Sequence, residues 1–181
     1  NGQYGIICSN SSPSVTNNTI SGSGDSGIYS RESTPQITNN IVAFNGTGIT
    51  RYHIGTGSPV LNNNCVYNAG GTDYSGLAAG VGDIAADPRF HSAAFGRLHI
   101  QSDSPCVDAG LDSAIQPGSS DMDGQARIQG AHVDVGADES DGTVWPEYQP
   151  IIVRVSTGGD DANNGSGWHV GKRTVQAGIG S

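Results

Sequence analysis

The sequence has one lysine, Lys172, one methionine, Met122, and few leucines and glutamates, although all four residue types favour helices. Only eight basic residues stand against 17 acidic ones, a net charge of −9, which argues against a protein that binds nucleic acid through its phosphates. No run of 18 apolar residues is present, so the sequence predicts no membrane insertion. No basic and apolar leader opens the chain, and we expect any secretion signal to have been removed or to lie outside this sequence.

Cysteine is also scarce. Cys8, Cys65 and Cys106 are widely spaced, fit no metal-binding pattern and, being three, cannot all pair within the chain. Buried thiols that act as small apolar side chains are the favoured interpretation, and a disulfide remains the alternative.

Charge divides the chain into zones. Residues 1–68 are balanced, residues 69–150 hold 13 of the 17 acidic residues, and residues 151–181 have a small positive excess. Together with the motifs below, these zones predict four parts: repeat turns at 1–68, an acidic closing segment at 69–140, a linker at 141–150, and a strand and cap segment at 151–181.

What the sequence does contain is a repeat. Gly-Ile recurs at Gly5, Gly27 and Gly48, and a Pro/Asn-Asn phrase recurs at 13–20, 35–42 and 59–66. A period of about 22–24 residues, with short β-branched runs between Gly, Asn and Pro, is typical of a solenoid of stacked strands. The sequence therefore predicts an all-β fold, a right-handed parallel β-helix over residues 1 to about 110. Two apolar sets should stack inside it: Val15, Ile37 and Leu61, and Ile6, Ile28 and Ile49.

The Asn-Asn pairs have a structural interpretation. Asn tolerates the left-handed conformation at a corner, and stacked Asn side chains form amide ladders. The alternative is a flat Thr/Asn array that binds ice or a crystalline glycan. Because the positions in register read Thr16, Thr38 and Asn62, that array breaks at the third turn, and ladders are favoured.

These phrases carry a family resemblance. The phrase Pro35–Val42, with Ile-Thr-Asn-Asn at its centre, and the phrase Gly27–Tyr29 resemble the repeats of the right-handed parallel β-helices of the pectate-lyase-like superfamily. Further phrases resemble the closing segment of the choice-of-anchor Q group of secreted bacterial proteins; they lie at 82–90, 97–100, 104–110, 121–127 and 133–139. Residues 151–181 resemble the opening strand and capping helix of such a β-helix, although here they follow the closing segment.

One half-complete metal motif is present. Asp121 and Asp123 precede Gly124 as in a calcium loop, where alternate oxygens converge on a hard cation. Gln125 follows where a further ligand belongs, and the later Glu of a full loop is missing. A tight turn, with carboxylates that pair with Arg127 or accept backbone N–H groups, is the favoured interpretation, and Ca²⁺ is the alternative.

Catalytic candidates are sparse. Enzymes of the superfamily need a basic proton abstractor with calcium, or carboxylates that project from neighbouring turns. The best constellation in the repeats is Arg31 and Glu32 on one turn with Arg51 and His53 on the next, and solvated loop tips explain it better. We therefore expect no catalytic residues. The remaining histidines show no ligand spacing and are expected to be structural or exposed: His91, His99, His132 and His169.

These features favour a non-enzymatic extracellular or cell-surface module, structural or adhesive, whose copies assemble head to tail into a filament. The expected assembly residues are Val153, Val155, Trp168, Val175 and Ile179. Their segment would cover the open first turn of the next copy, since a solenoid end exposes unpaired backbone groups. A slice of a longer tandem chain and a cap that folds back on its own chain are the rival connections. The alternative function is a polysaccharide lyase, a glycoside hydrolase or a carbohydrate-binding β-helix, with an extracellular polysaccharide as partner.

Overall fold

The computed structural model describes residues 3–52 and 57–146, which belong to one compact unit. Three solenoid turns follow one another, and each contributes three short strands. The strands are β1 (Tyr4–Ser9), β2 (Ser14–Thr16), β3 (Thr19–Ser21), β4 (Ser26–Arg31), β5 (Gln36–Thr38), β6 (Ile41–Ala43), β7 (Thr47–Arg51), β8 (Val60–Asn62) and β9 (Cys65–Tyr67). A fourth turn begins with β10 (Thr72–Ser75).

Strands of successive turns pair in parallel and form three sheets. Sheet A has the order β1-β4-β7-β10, sheet B the order β2-β5-β8, and sheet C the order β3-β6-β9. The all-β parallel β-solenoid is therefore confirmed, with about three full turns. The part of the chain that the structure describes contains no α-helix, and none of its helical turns is long and apolar enough to cross a bilayer.

The solenoid is shorter than predicted. Beyond β10, only isolated bridges from Val81 and Ile84 continue sheets B and C. The chain then forms an antiparallel hairpin of β11 (Phe90–Ser92) and β12 (Arg97–Ile100), so the prediction of a parallel helix as far as residue 110 was wrong. Residues 76–90 lack the β-branched runs of the repeats, and Gly, Ala and Asp dominate them instead.

The two predicted apolar stacks are confirmed. Val15, Ile37 and Leu61 occupy matching positions of sheet B and are buried. Ile28 and Ile49 are buried in sheet A, and Ile6 packs against the same core from the first turn. One continuous apolar column therefore runs inside the solenoid.

The closing segment covers the outer surface of sheet C and forms a second core. Ile41 and Cys65 point outward from the sheet and pack against Ile100, Cys106 and Val135. All three cysteines are free and buried, as the interpretation as apolar thiols predicted. A hydrogen bond with Cys106, together with burial, raises the pKa of the Cys65 thiol.

The first Asn of each Asn-Asn pair turns a corner between sheets B and C. Asn17, Asn39 and Asn63 have φ values of 55°, 56° and 50°, in the left-handed region that Asn tolerates. Two of these side chains also hold the closing segment. Asn39 Nδ2 donates to the carbonyl of Leu111 and its Oδ1 accepts the Leu111 N–H, while Asn63 Nδ2 donates to the carbonyl of Ala109.

The second Asn of each pair points inward and forms a ladder. Both nitrogens of Asn18, backbone N and Nδ2, donate to Oδ1 of Asn40 at 3.0 Å. Asn40 donates in the same way to Asn64, and Asn64 to Asp83 Oδ1 at 2.8 and 3.0 Å. The ladder interpretation is therefore confirmed, and the ladder ends on a carboxylate.

A second side-chain ladder runs at the corner between sheets C and A. The Ser23 N–H donates to Asn45 Oδ1, and Asn45 N–H donates to Asn68 Oδ1. Asn68 then donates to Asp73 Oδ1 through both nitrogens, at 2.7 and 3.1 Å. Two corners of the solenoid thus satisfy their buried backbone groups in the same way.

The recurring Gly of the Gly-Ile phrase is explained by close packing. A Cβ added at Gly5, Gly27 or Gly48 would collide with a core side chain of the same turn, and these are Ile20, Val42 and Val66. At Gly27 and Gly48 the added atom would also crowd a ladder amide. Only glycine leaves room there for both the apolar column and the ladder.

The closing segment is held mainly by polar contacts in place of regular strands. Arg127 is buried and donates to the carbonyls of Gly136 and Ala137 at 2.9 and 3.0 Å. Glu139 accepts the N–H groups of Gln129 and Asp134, and burial raises its pKa to about 7. Side chains thus form the hydrogen bonds with backbone N–H and C=O groups that neighbouring strands would form in a sheet.

Replacing Asn40 by Ala is expected to lower the free energy of unfolding by at least about 3 kcal/mol, since each buried polar group left without a partner costs about 1–3 kcal/mol. Asn40 is fully buried, and its Nδ2 donates to the carbonyls of Val15 and Thr38 as well as to Asn64. Chemical denaturation of the variant and the parent chain measures the difference.

The matched control is Asn62→Ala on the third turn, whose side chain is half-buried and has no hydrogen bond to the described residues. Its cost should stay within about 0.5 kcal/mol. Equal costs for the two variants would show that the ladder does not stabilise the fold.

Candidate functional site

The outer surface of sheet A carries a row of tyrosines, one on each of the three turns. The ring centroids of Tyr4 and Tyr29 are 5.0 Å apart, and those of Tyr29 and Tyr52 are 6.0 Å apart. The row arises because Tyr29 alternates with the buried Ile28 along β4, and parallel stacking brings the neighbouring turns beside it. We call these three residues the tyrosine row.

Polar and apolar groups border the tyrosine row. A hydrogen bond with Asp25 raises the pKa of the Tyr4 hydroxyl, and burial adds to this shift. The half-buried Thr50 hydroxyl shares a hydrogen bond of 2.9 Å with the buried hydroxyl of Ser26, and Ile7 is 56% exposed. The surface therefore offers an apolar platform with hydroxyl and carboxylate groups at its side.

The structure describes three of the four residues of the predicted catalytic constellation. Arg31 ends β4 and is exposed, and Glu32 follows it at a turn with φ of 49°. Arg51 Nε donates to the carbonyl of Gly57 at 2.8 Å, so its side chain anchors a loop. His53 lies outside the described residues. No hydrogen bond or ion pair joins the side chains of the three described members, Arg31, Glu32 and Arg51.

The two calcium candidates contact different partners. Asp121 is buried, its Oδ1 accepts the N–H groups of Asp123 and Gln125, and its Oδ2 accepts that of Glu139. These are the contacts expected of a turn-forming carboxylate. Asp123 instead directs its carboxylate to His99, at 2.9 Å. Calcium binding by Asp121 and Asp123 stays a prediction.

A cluster that sequence spacing does not reveal lies beside this turn. His99 Nε2 and one oxygen each of Asp123 and Asp138 all lie within 4.8 Å of one another. Asp138 is buried, its Oδ2 accepts the N–H of Ile100 at 2.8 Å, and burial raises its pKa. We call these three residues the His99 cluster.

Trp145 packs against the His99 cluster. Its ring lies 4.7 Å from that of His99 and is stacked on His91 at 5.3 Å. The side chain of Gln101 fixes the Trp145 backbone through two hydrogen bonds of 3.1 Å. His99, Asp123 and Asp138 are too far apart in sequence to form a recognisable metal-binding motif. The sequence marked this region only through the family phrases at 121–127 and 133–139.

The remaining described histidine, His132, forms an exposed pair with Asp112. Its Nδ1 lies 3.0 Å from Asp112 Oδ2, and this hydrogen bond raises the pKa of His132 and lowers that of Asp112. Asp112 Oδ1 also accepts the N–H of Val133, so the pair ties residues 112 and 132–133 together. This is a structural role, as predicted.

The predicted assembly residues lie outside the part of the chain that the structure describes, and so does His169. They are Val153, Val155, Trp168, Val175 and Ile179. Head-to-tail assembly therefore stays a prediction.

Comparison with known proteins yields one similarity. A family model described as disaggregatase related matches residues 32–116, slightly less than half of the chain. The match begins directly after β4 and includes the rest of the second turn, the third turn and the hairpin, and it agrees with a parallel β-helix. No curated protein and no solved structure matches the chain. The closer resemblance to the choice-of-anchor Q group stays a prediction.

Replacing Asp112 by Asn is expected to return the pKa of His132 towards its ordinary value of 6.5, because the hydrogen-bonding carboxylate is lost. NMR titration of the imidazole resonances measures this pKa. Asp103→Asn removes an exposed carboxylate paired with Arg89 and is the control that should leave His132 unchanged.

The pair also has a pH signature. The raised pKa of His132 gives stability that is fully present below pH 6.5 and is lost as pH rises through the folded-state pKa. The lowered pKa of Asp112 gives stability that is present above pH 3.8 and is lost as pH falls through its folded-state pKa. The stability difference between parent and Asp112→Asn should therefore be largest between pH 3.8 and 6.5, and a difference that is flat with pH would contradict the pairing.

Proposed function

We propose that this β-helix is a non-enzymatic extracellular adhesion module that contacts a polysaccharide through the outer surface of sheet A. The tyrosine row is the observation that supports this proposal. Its three rings follow one another along three successive turns, at 5.0 and 6.0 Å. Such a row suits an extended polymer that lies along the solenoid, whereas a single small molecule would need an enclosing pocket.

The chemistry of the surface fits sugar rings. A tyrosine ring combines a large apolar face with a hydroxyl that keeps a hydrogen-bond partner. Sugar rings have apolar C–H faces and hydroxyl edges, so they can stack on the row while the half-buried Thr50 and the exposed Asp25 bond their hydroxyls. Because the exposed Ile7 extends the apolar part of the platform, the contact surface reaches to the first turn.

The interpretation as a non-enzymatic module rests on the ionisable groups around the row. Glycoside hydrolysis requires two carboxyl groups that flank the scissile bond. Asp25 lies beside Tyr4, Glu32 lies at a turn beyond the end of β4, and Arg51 donates to the carbonyl of Gly57. A polysaccharide lyase or hydrolase remains the alternative function.

The family similarity is compatible with both functions. A disaggregatase, by the meaning of the word, disperses aggregates, and this requires contact with whatever holds an aggregate together. A non-enzymatic β-helix would bind the material that holds the aggregate together, whereas a catalytic β-helix would cleave that material.

Replacing Tyr29 by Ala is expected to weaken binding to the polysaccharide about tenfold, the loss of roughly 1.4 kcal/mol of aromatic contact. Tyr29 is the right residue to change because it touches both other members of the row. Affinity electrophoresis of the full chain in gels that contain neutral or acidic polysaccharides identifies the polymer and gives the dissociation constants.

Phe95→Ala is the matched control, since Phe95 is 53% exposed but lies on the β11–β12 hairpin. It should leave binding unchanged. The same polymers are assayed for new reducing ends and unsaturated products. Turnover that disappears in Glu32→Ala or Arg51→Ala would establish the enzymatic alternative, and binding that is equal in Tyr29→Ala would remove the tyrosine row from the function.

Head-to-tail assembly is the second part of the proposed role. The expected contact is the addition of segment 151–181 to the first turn of another copy, which propagates as a filament. The intact chain should therefore sediment as a concentration-dependent series of oligomers, and a chain that ends at residue 150 should sediment as a monomer. A monomeric intact chain at high concentration would instead favour a cap that folds back on its own chain.

A further inference from the structure

Three segments of the chain that are distant in sequence meet at the His99 cluster. His99 lies on β12, Asp123 follows the turn at Asp121, and Asp138 lies at the end of the closing segment. The three potential ligand atoms are all within 4.8 Å of one another. The side chains of His99 and Asp123 are 26% and 44% exposed, so an ion can reach the cluster from solvent.

Asp138 gives the second, independent observation. Its residue is only 4% exposed, and its one hydrogen bond to the described residues runs from the Ile100 N–H to Oδ2. The other oxygen, Oδ1, accepts no hydrogen bond from those residues. Asp138 and Asp123 both line a cavity of about 70 Å³, which is large enough for a water molecule or an ion.

A carboxylate in this position needs a positive partner. Burying an ionised carboxylate is costly unless it is paired, and Asp121 and Asp123 add negative charge beside Asp138. His99 is placed to contribute either a positive charge or a neutral nitrogen ligand. If His99 is a neutral ligand, a cation can bind between the three side chains and neutralise both Asp123 and Asp138.

We propose that His99 Nε2, Asp123 and Asp138 bind one divalent transition-metal ion of the zinc class. The imidazole nitrogen decides the class, because Ca²⁺ and Mg²⁺ take oxygen ligands, whereas nitrogen with carboxylate suits Zn²⁺. Zinc lies about 2.0–2.2 Å from such ligands, so two ligand atoms are at most about 4.4 Å apart. Small side-chain rotations bring the cluster to that geometry.

The ion takes the place of the proton between His99 and Asp123, which now lie 2.9 Å apart. Three protein ligands leave one tetrahedral position, and a water in the cavity fills it. Trp145, 4.7 Å from the His99 ring, covers one side of the ligand. The ion would tie the β11–β12 hairpin to the later part of the acidic closing segment, at Asp123 and Asp138. Asp121 is not one of the ligands proposed for this ion, since backbone N–H groups bond both its oxygens.

The test is isothermal titration of the untagged full chain with Zn²⁺ after treatment with chelator, supported by the absorption spectrum of the Co²⁺ form. We expect one ion to bind at this site and to raise the melting temperature, as binding to the folded state alone requires. His99→Gln, Asp123→Ala and Asp138→Asn should each weaken binding at least about tenfold, because even loss of an outer partner of a ligand costs about 10- to 100-fold.

His132→Gln is the matched control, because it changes an exposed His–Asp pair outside the cluster. Because the Asp123 side chain is exposed, Asp123→Ala should fold normally even if the variant of the buried Asp138 does not. The absence of saturable Zn²⁺ binding would overturn the proposal, as would Zn²⁺ binding that all three variants retain. Tight Ca²⁺ binding that His99→Gln leaves unchanged would replace the zinc-class site with an oxygen-only one.

Discussion

The fold depends on satisfying backbone groups at buried corners. A solenoid turns its chain repeatedly inside a small cross-section, and at each corner the strand hydrogen bonds are interrupted. Asn side chains solve this problem twice, at Asn18, Asn40 and Asn64 and at Asn45 and Asn68, because an amide both donates and accepts. The apolar column stabilises the turns, but without the ladders the corners could not be buried.

The same constraint explains which parts of the structure were predictable. A ladder and an apolar stack repeat at each turn, so their residues recur at a fixed spacing, as Val15, Ile37 and Leu61 do. Residues one repeat apart in the sequence are therefore neighbours in the structure. The tyrosine row escaped prediction because its members do not occupy paired positions: Tyr4 pairs with Ser26 and Tyr29 with Thr50, and the rings meet diagonally across the strands.

The closing segment obeys no period, and its contacts were not predictable from spacing. His99 meets Asp123 across 24 residues, and Asp138 meets Ile100 across 38. Such contacts depend on the path of irregular backbone, which turn-forming carboxylates such as Asp121 hold in place. Phrase similarity marked this segment as a unit, yet it could not tell a structural acid from a ligand. The length of the solenoid was overestimated for the same reason, since the bridge at Ile84 is the last trace of the parallel pattern.

The two ladders both end on an aspartate, Asp83 in one and Asp73 in the other, at the same end of the stack. Repeat architectures have no intrinsic length, because each turn contacts only its neighbours and another can always be added. A carboxylate accepts the amide of the turn before it but has no N–H to offer the turn after it. Asp73 and Asp83 therefore give the stack a direction and an end: they define the last coil, and they oppose a slip of register by one coil. Growth in that direction would require a different kind of contact from the one that built the stack.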